Sequence, residues 1–180
     1  MGPVTGVAPT GAGFSPVRPS ITLAAVRTEM TLADTLNTLG LLGGSTLPRF
    51  VTEVGGQGDV LDVVADARSV KSLPGPLKMA TRLVPAVRSK LRVEEFDGGV
   101  AVLSVDASAG GLPAHKLLGL AKSRIESVLE SKGLPAGSVQ IRPDARIALD
   151  VQRLVEARHP GTVVQNMAFA DGKVAFDTAA

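Results

Sequence analysis

Apolar and polar positions alternate along most of this chain in short runs broken by Gly and Pro, and they settle into a helical period at length only once. Between Pro113 and Lys132, the residues Leu117, Leu118, Ala121, Ile125, Val128 and Leu129 form one apolar stripe. Lys116, Lys122, Arg124, Glu126, Glu130 and Lys132 cover the remaining faces. Pro113 suits a first helical turn and Gly133 a C-cap, with Pro135 just beyond. A helix of about 20 residues is about 30 Å long. It is the largest predicted element and the one a sheet is expected to pack against.

Elsewhere the pattern predicts shorter pieces. Residues 1–19 read as a flexible arm of Gly, Pro, Ser and Thr, and residues 20–180 as a single domain. Ser20 to Val26 reads as a strand. Thr31 opens a helix with Asp34 in the third place of a capping box, and Leu32, Leu36 and Leu39 line its apolar face before Gly40 ends it. Pro48 to Gly58 is a strand with a Gly-rich turn, and Val60 to Val70 another strand. A helical pattern through Leu77, Ala80, Leu83, Val84 and Val87 is interrupted by Pro85, which removes a hydrogen bond and clashes with the preceding turn. Val139 to Leu149 is extended, broken by Pro143. Asp150 caps a short helix ending near His159.

The chain also repeats itself. Asp66-Ala67-Arg68, Arg82-Leu83-Val84 and Phe96-Asp97-Gly98 recur as Asp144-Ala145-Arg146, Arg153-Leu154-Val155 and Phe169-Ala170-Asp171-Gly172. The echo marks a possible internal repeat over 60–107 and 138–179, each copy a strand, a short helix and a hairpin. Asp-Gly between apolar runs is a strong hairpin signal, because both central residues of a type I′ turn need φ > 0. With Asp171-Gly172 as the loop, Phe169 faces Val174 and Met167 faces Phe176. The same construction at Asp97-Gly98 sets Val93 opposite Val102. The alternative is two ordinary hairpins that look alike because Asp-Gly turns are common.

Composition narrows the chemistry. Hydrophobic residues make up 44% and charged residues 20% of the 180, which is globular. Five Phe are the only aromatics, so the core is aliphatic and stacking platforms for single-stranded nucleic acid are scarce. The absence of cysteine excludes disulfides, thiolate metal sites and cysteine catalysis. No run approaches the roughly 20 apolar residues of a membrane span. The first residues lack the basic-flanked apolar core of a secretory signal, so a cytoplasmic location is expected.

The net charge is +2, yet Ala67 to Val93 contains no acid. Arg82, Arg88, Lys90 and Arg92 in that stretch form a local field suited to phosphates, anionic lipid heads or an acidic partner; a solvated face with no partner is the plainer alternative. No nucleic-acid motif accompanies it, and such binding is not expected. His115 and His159 have no second ligand at metal spacing, and surface or capping roles are expected for both. Gly40 to Thr46 lacks the lysine of a phosphate loop, and no Gly-x-Ser-x-Gly elbow is present. Glu94-Glu95 would alternate to opposite faces of a strand. No cofactor is implied, and nothing in the spacing argues for an enzyme.

The order of elements favours an α+β fold: a curved, mainly antiparallel sheet, with two strand–helix–hairpin units packed on a long amphipathic helix. The stretch from Val139-Gln140-Ile141 through Ile147 to Val155 and on to Met167 to Val174 resembles the closing unit of small bacterial proteins akin to the tubular lipid-binding superfamily. That resemblance implies an apolar groove for a lipid or another apolar small molecule. Its expected lining, between the long helix and the hairpins, is Leu117, Leu118, Ile125, Met167, Phe169 and Phe176; a closed core made of the same side chains is the competing reading. The alternative function is a structural or interaction protein, a homo-oligomer that self-associates through hairpin edges.

Overall fold

The computed structural model describes residues 25–42, 46–69, 86–109 and 112–179. Ten strands and three α-helices occupy them, and every described strand pair is antiparallel. The fold is α+β. A small sheet has the order β1-β10-β9, formed by β1 (Val26–Met30), β10 (Lys173–Ala179) and β9 (Val163–Ala170). A large sheet has the order β2-β3-β4-β5-β8-β7. Its strands are β2 (Val51–Gly55), β3 (Val60–Asp66), β4 (Ala86–Asp97), β5 (Val100–Ala109), β8 (Arg146–Asp150) and β7 (Val139–Ile141). The short β6 (Leu112–Pro113) also pairs with β5.

Period-two alternation decides what each sheet buries. Leu61, Leu91, Val93, Ala101, Leu103, Ile147 and Leu149 share the inner face of the large sheet. They meet Val164, Met167, Phe169, Val174 and Phe176 of the small sheet in one core. Helix α3 (Val151–Glu156) drives Val151, Leu154 and Val155 into the same core. Helix α1 (Leu32–Thr38) adds Leu32 and Leu39, capped by the Thr31 hydroxyl, which accepts from Asp34 N at 3.2 Å. Thr35, rather than the predicted Leu36, is the helix residue fully buried beside them.

Helix α2 (Ala114–Ser131) lies where the long apolar stripe predicts a helix, but its place in the fold differs from the expectation. Its main packing is against β5, β6 and β7 of the large sheet. It is not a shaft around which two units wrap. The second hairpin belongs to the other sheet, which reaches the large one through β9 against β3 and β4. The predicted helix through Val87 is also corrected. Val87 lies in β4, where Val87, Ser89, Leu91 and Val93 alternate at period two behind Pro85. The rest of that segment, Arg82-Leu83-Val84 included, falls outside the described residues, as do the N-terminal arm and all but the last two residues of the expected strand Ser20 to Val26.

The two hairpins also differ at their turns. In the second, Ala170 pairs with Lys173, Phe169 with Val174 and Met167 with Phe176, so Asp171-Gly172 is the loop; both residues have positive φ, +47° and +77°. In the first, Asp97 pairs with Val100, and the loop is Gly98-Gly99, with φ of +55° and +82°. Two glycines adopt the left-handed region with less strain than Asp-Gly, so the loop moves one residue along. A bulge between Val93 and Glu95 then sets Val93 opposite Leu103 rather than Val102, and leaves Glu94 and Glu95 both exposed.

Each loop docks on a distant element. Asp171 N donates to Gly58 O at 3.0 Å, and Asp171 Oδ1 accepts from Gly58 N at 2.9 Å. A Cβ on Gly172 would stand 2.9 Å from the backbone carbon of Gly55. The first loop meets the start of α3: Gln152 N donates to Gly99 O at 3.0 Å, and a Cβ on Gly99 would stand 2.4 Å from Gln152 Cβ. Gly98, by contrast, has open space around it.

Two predictions follow from this backbone geometry. Gly98→Ala should cost only the left-handed penalty, about 1 kcal/mol, whereas Gly172→Ala adds a backbone clash and should cost about 2–4 kcal/mol. Urea unfolding of both variants checks the ranking. Ala145, in the turn between β7 and β8, has φ +60°, so Ala145→Gly should raise stability by about 1 kcal/mol in the same measurement.

Candidate functional site

The residues expected to line one groove do not share one. Met167 and Phe169 are closed in the core at 4% and 7% exposure, and Ile125 packs against the same cluster. Leu118 belongs to a separate cluster with Val105, Ala107 and Ala114. Leu117 lies in α2, its side chain outside the described residues. Phe176 lines an apolar cleft that none of the other four described side chains of the six enters. The physical reason is the position of α2: it lies on the large sheet, so its stripe faces β5 and β7 rather than the second hairpin.

That cleft lies on the small sheet, with a volume of about 220 Å³. Its floor is Phe176, Thr178 and Val164, with the exposed Thr28 at the mouth on the same face, since Thr28 pairs with Phe176 and Thr178 with Val164. Met30 and Leu39 form one wall, and Val155 with His159 and Thr162 the other. Local chemistry fixes both walls. On the α1 side, Leu39 N donates to Thr35 O at 2.9 Å and closes the helix. On the α3 side, Asp150 Oδ1 accepts from Arg153 N at 2.9 Å, and His159 N donates to Val155 O at 2.7 Å. The Gln152 side chain ties α3 to β9: its Oε1 accepts from Val164 N at 2.8 Å, and its Nε2 donates to Thr162 O at 3.0 Å. His159 was expected at this helix end; its place on the rim of an apolar cleft was not legible, because Thr28, Leu39 and Thr162 come together only through tertiary packing.

A second, charged region faces away from the core. Arg88, Lys90 and Arg92 alternate on the exposed face of β4. Arg82 lies outside the described residues. Acids stand beside the cations: Asp62 and Asp106 both pair in register with Lys90. The acid-free stretch of sequence is therefore not an acid-free surface, since neighbouring strands supply the carboxylates. His115 is exposed in the first turn of α2. Among the described residues, no three His, Asp or Glu side chains are grouped to hold a metal ion, and no helix is long and apolar enough to cross a membrane.

Of the hairpin strands, β4 also pairs with β3, β5 with β8 and β10 with β1, while β9 is the edge strand of the small sheet and packs against β4 and β3 without ladder pairing. No family model matches the chain, and no curated protein or solved structure matches it.

Thr35, beside the cleft wall on α1, is 2% exposed, and its hydroxyl has no hydrogen-bond partner among the described residues. A buried unpaired hydroxyl is a net cost. Thr35→Val, nearly isosteric and of similar helix propensity, should leave stability unchanged or raise it by about 1 kcal/mol. Thermal unfolding measures this; a clear loss would mean that the hydroxyl has a partner in solution.

Proposed function

We propose that this chain is a non-enzymatic module that binds a fatty-acid-like amphiphile, with the apolar end of the ligand held in the cleft between the small sheet, α1 and α3. The observation that carries the reading is the cleft itself: about 220 Å³ floored and walled by Met30, Leu39, Val155, Val164 and Phe176. An apolar cavity of about 150 Å³ accepts a benzene-sized guest, while whole drug-sized ligands need about 300 Å³ or more. The cleft therefore suits a ring or a chain end and leaves the remainder of the ligand outside. The rim is supplied by Thr28, Thr38, Thr162 and the imidazole of His159, which can donate to a carboxylate. Val26, 60% exposed on the same face as Thr28 and Met30, extends the apolar surface beyond the mouth. This reading is favoured over self-association because the cleft is concave and apolar, whereas three of the four hairpin strands are paired on both sides and β9, at a sheet edge, already packs against β3 and β4.

A fluorescent fatty-acid probe is the test. The protein should take it up saturably, one probe per chain. Thr28→Phe sets a ring on the exposed edge strand at the mouth, where aromatic residues are well tolerated. That variant should bind the probe about tenfold more weakly, a difference of about 1.4 kcal/mol, with an unchanged melting temperature. No uptake by the unmodified protein, or equal uptake by Thr28→Phe, would overturn the reading.

A further inference from the structure

We infer that the outer face of the large sheet carries a site for a single phosphate group, separate from the apolar cleft and built on Arg92, Ser104 and Arg146. These three residues are direct neighbours in register, since Arg92 pairs with Ser104 and Ser104 with Arg146. Strands lie about 4.8 Å apart, so the two arginines start about 10 Å from each other, on the same face, with the serine between them. They line a polar pocket of about 370 Å³ that also includes Lys90.

The pocket lining holds three cations, Lys90, Arg92 and Arg146, and three carboxylates, Glu94, Asp106 and Asp144, so what suits it to an anion is the donors left unengaged. Arg146 is oriented by two carboxylates, with Nε 2.7 Å from Glu94 Oε2 and Nη1 3.0 Å from Asp144 Oδ2. A guanidinium has five N–H donors, so the Nη2 pair remains for a ligand. Among the described residues, no hydrogen bond or ion pair engages the side chains of Arg92, Lys90 or Ser104. A forked guanidinium on each side with a hydroxyl beneath matches the tetrahedral shape of a phosphate, which takes such contacts in pairs.

The carboxylates in the pocket set the class of ligand. Glu94 and Asp144 are spent on Arg146, while Asp106 pairs in register with Lys90. One phosphate can sit between Arg92 and Arg146. A polyanion such as a nucleic acid would extend beyond the two arginines over Glu53 and Asp62, which repel it. The β4 cations thus serve one group on a small molecule, or free phosphate, and not an extended anionic surface. Sequence spacing concealed Ser104 and Arg146, since they reach Arg92 only through β5 and β8.

Calorimetric titration of the full chain tests this with inorganic phosphate, glycerol phosphate and anionic lipid vesicles as separate arms. Phosphate and the monoester should bind saturably, one per chain. Arg92→Gln should weaken both about tenfold, and Ser104→Ala should weaken them less. Arg88→Gln changes the same net charge on the same strand outside the pocket, so it should leave affinity unchanged. All three positions lie on the open face, and circular dichroism verifies that each variant is folded. Absence of saturable phosphate binding, equal losses in Arg88→Gln and Arg92→Gln, or vesicle binding tighter than that of the free monoester would each overturn the assignment.

Discussion

The contact that fixes the relation between the two sheets is the meeting of two turns. Asp171 exchanges both an N–H and a carboxylate bond with Gly58, across 113 residues of sequence. Gly172 lets the hairpin backbone come down onto Gly55 and Gly56. Each such hydrogen bond is worth about 1 kcal/mol, which is small beside the apolar core. Its importance is geometric. Aliphatic burial is tolerant of direction, and a core of Leu, Val and Ala can be filled in several ways. Two bonds with defined angles, and an approach that only glycine permits, select one of them.

A second docking of the same kind orients α3. Gln152 bonds to the Gly99 loop through its backbone, to Val164 of β9 through Oε1 and to Thr162 just before β9 through Nε2, so one residue connects the first hairpin, the short helix and the small sheet. Helices this short do not persist on their own. The hold on Gln152, together with the Asp150 cap, keeps Val155 and His159 in place as one wall of the cleft. The cleft lies between the α1 side, through Thr38 and Leu39, and the α3 side, through Val155 and His159, over a part of the small sheet where β1 and β10 each contribute one threonine, Thr28 and Thr178.

Local signals were legible where a single element decides the outcome. The α+β class, the Asp171-Gly172 loop with its Phe169–Val174 and Met167–Phe176 pairs, the caps at Thr31 and Asp150, and a helix ending before Gly133 all follow from neighbouring residues. Signals failed where two local rules competed. Gly98-Gly99 displaced Asp97-Gly98, and strand alternation in β4 overrode the helical spacing that includes Val87. The echo between Asp66-Ala67-Arg68 and Asp144-Ala145-Arg146 illustrates the same limit. Both triplets make a local Arg–Asp contact, yet the first runs from the end of β3 into a 3₁₀ turn and the second forms a hairpin loop with Ala145 left-handed. Which partner α2 would choose was beyond sequence altogether, since an apolar stripe records burial and not the identity of what buries it.

The two candidate sites sit on opposite sides of the core, and their energetics are accordingly different. The cleft gains from removing apolar surface from water, a non-directional term that scales with the area covered. The outer face gains only from directed, charge-assisted bonds and is weakened by salt. For one ligand to change affinity for the other, the molecule would need a second arrangement that the two ligands favour unequally. Between the sites lies the core that both sheets share, and the turn contacts that fix the sheets leave no room for a Cβ at Gly172 or Gly99. The two sites should therefore act independently, and any coupling between them would require the Asp171–Gly58 contact to open.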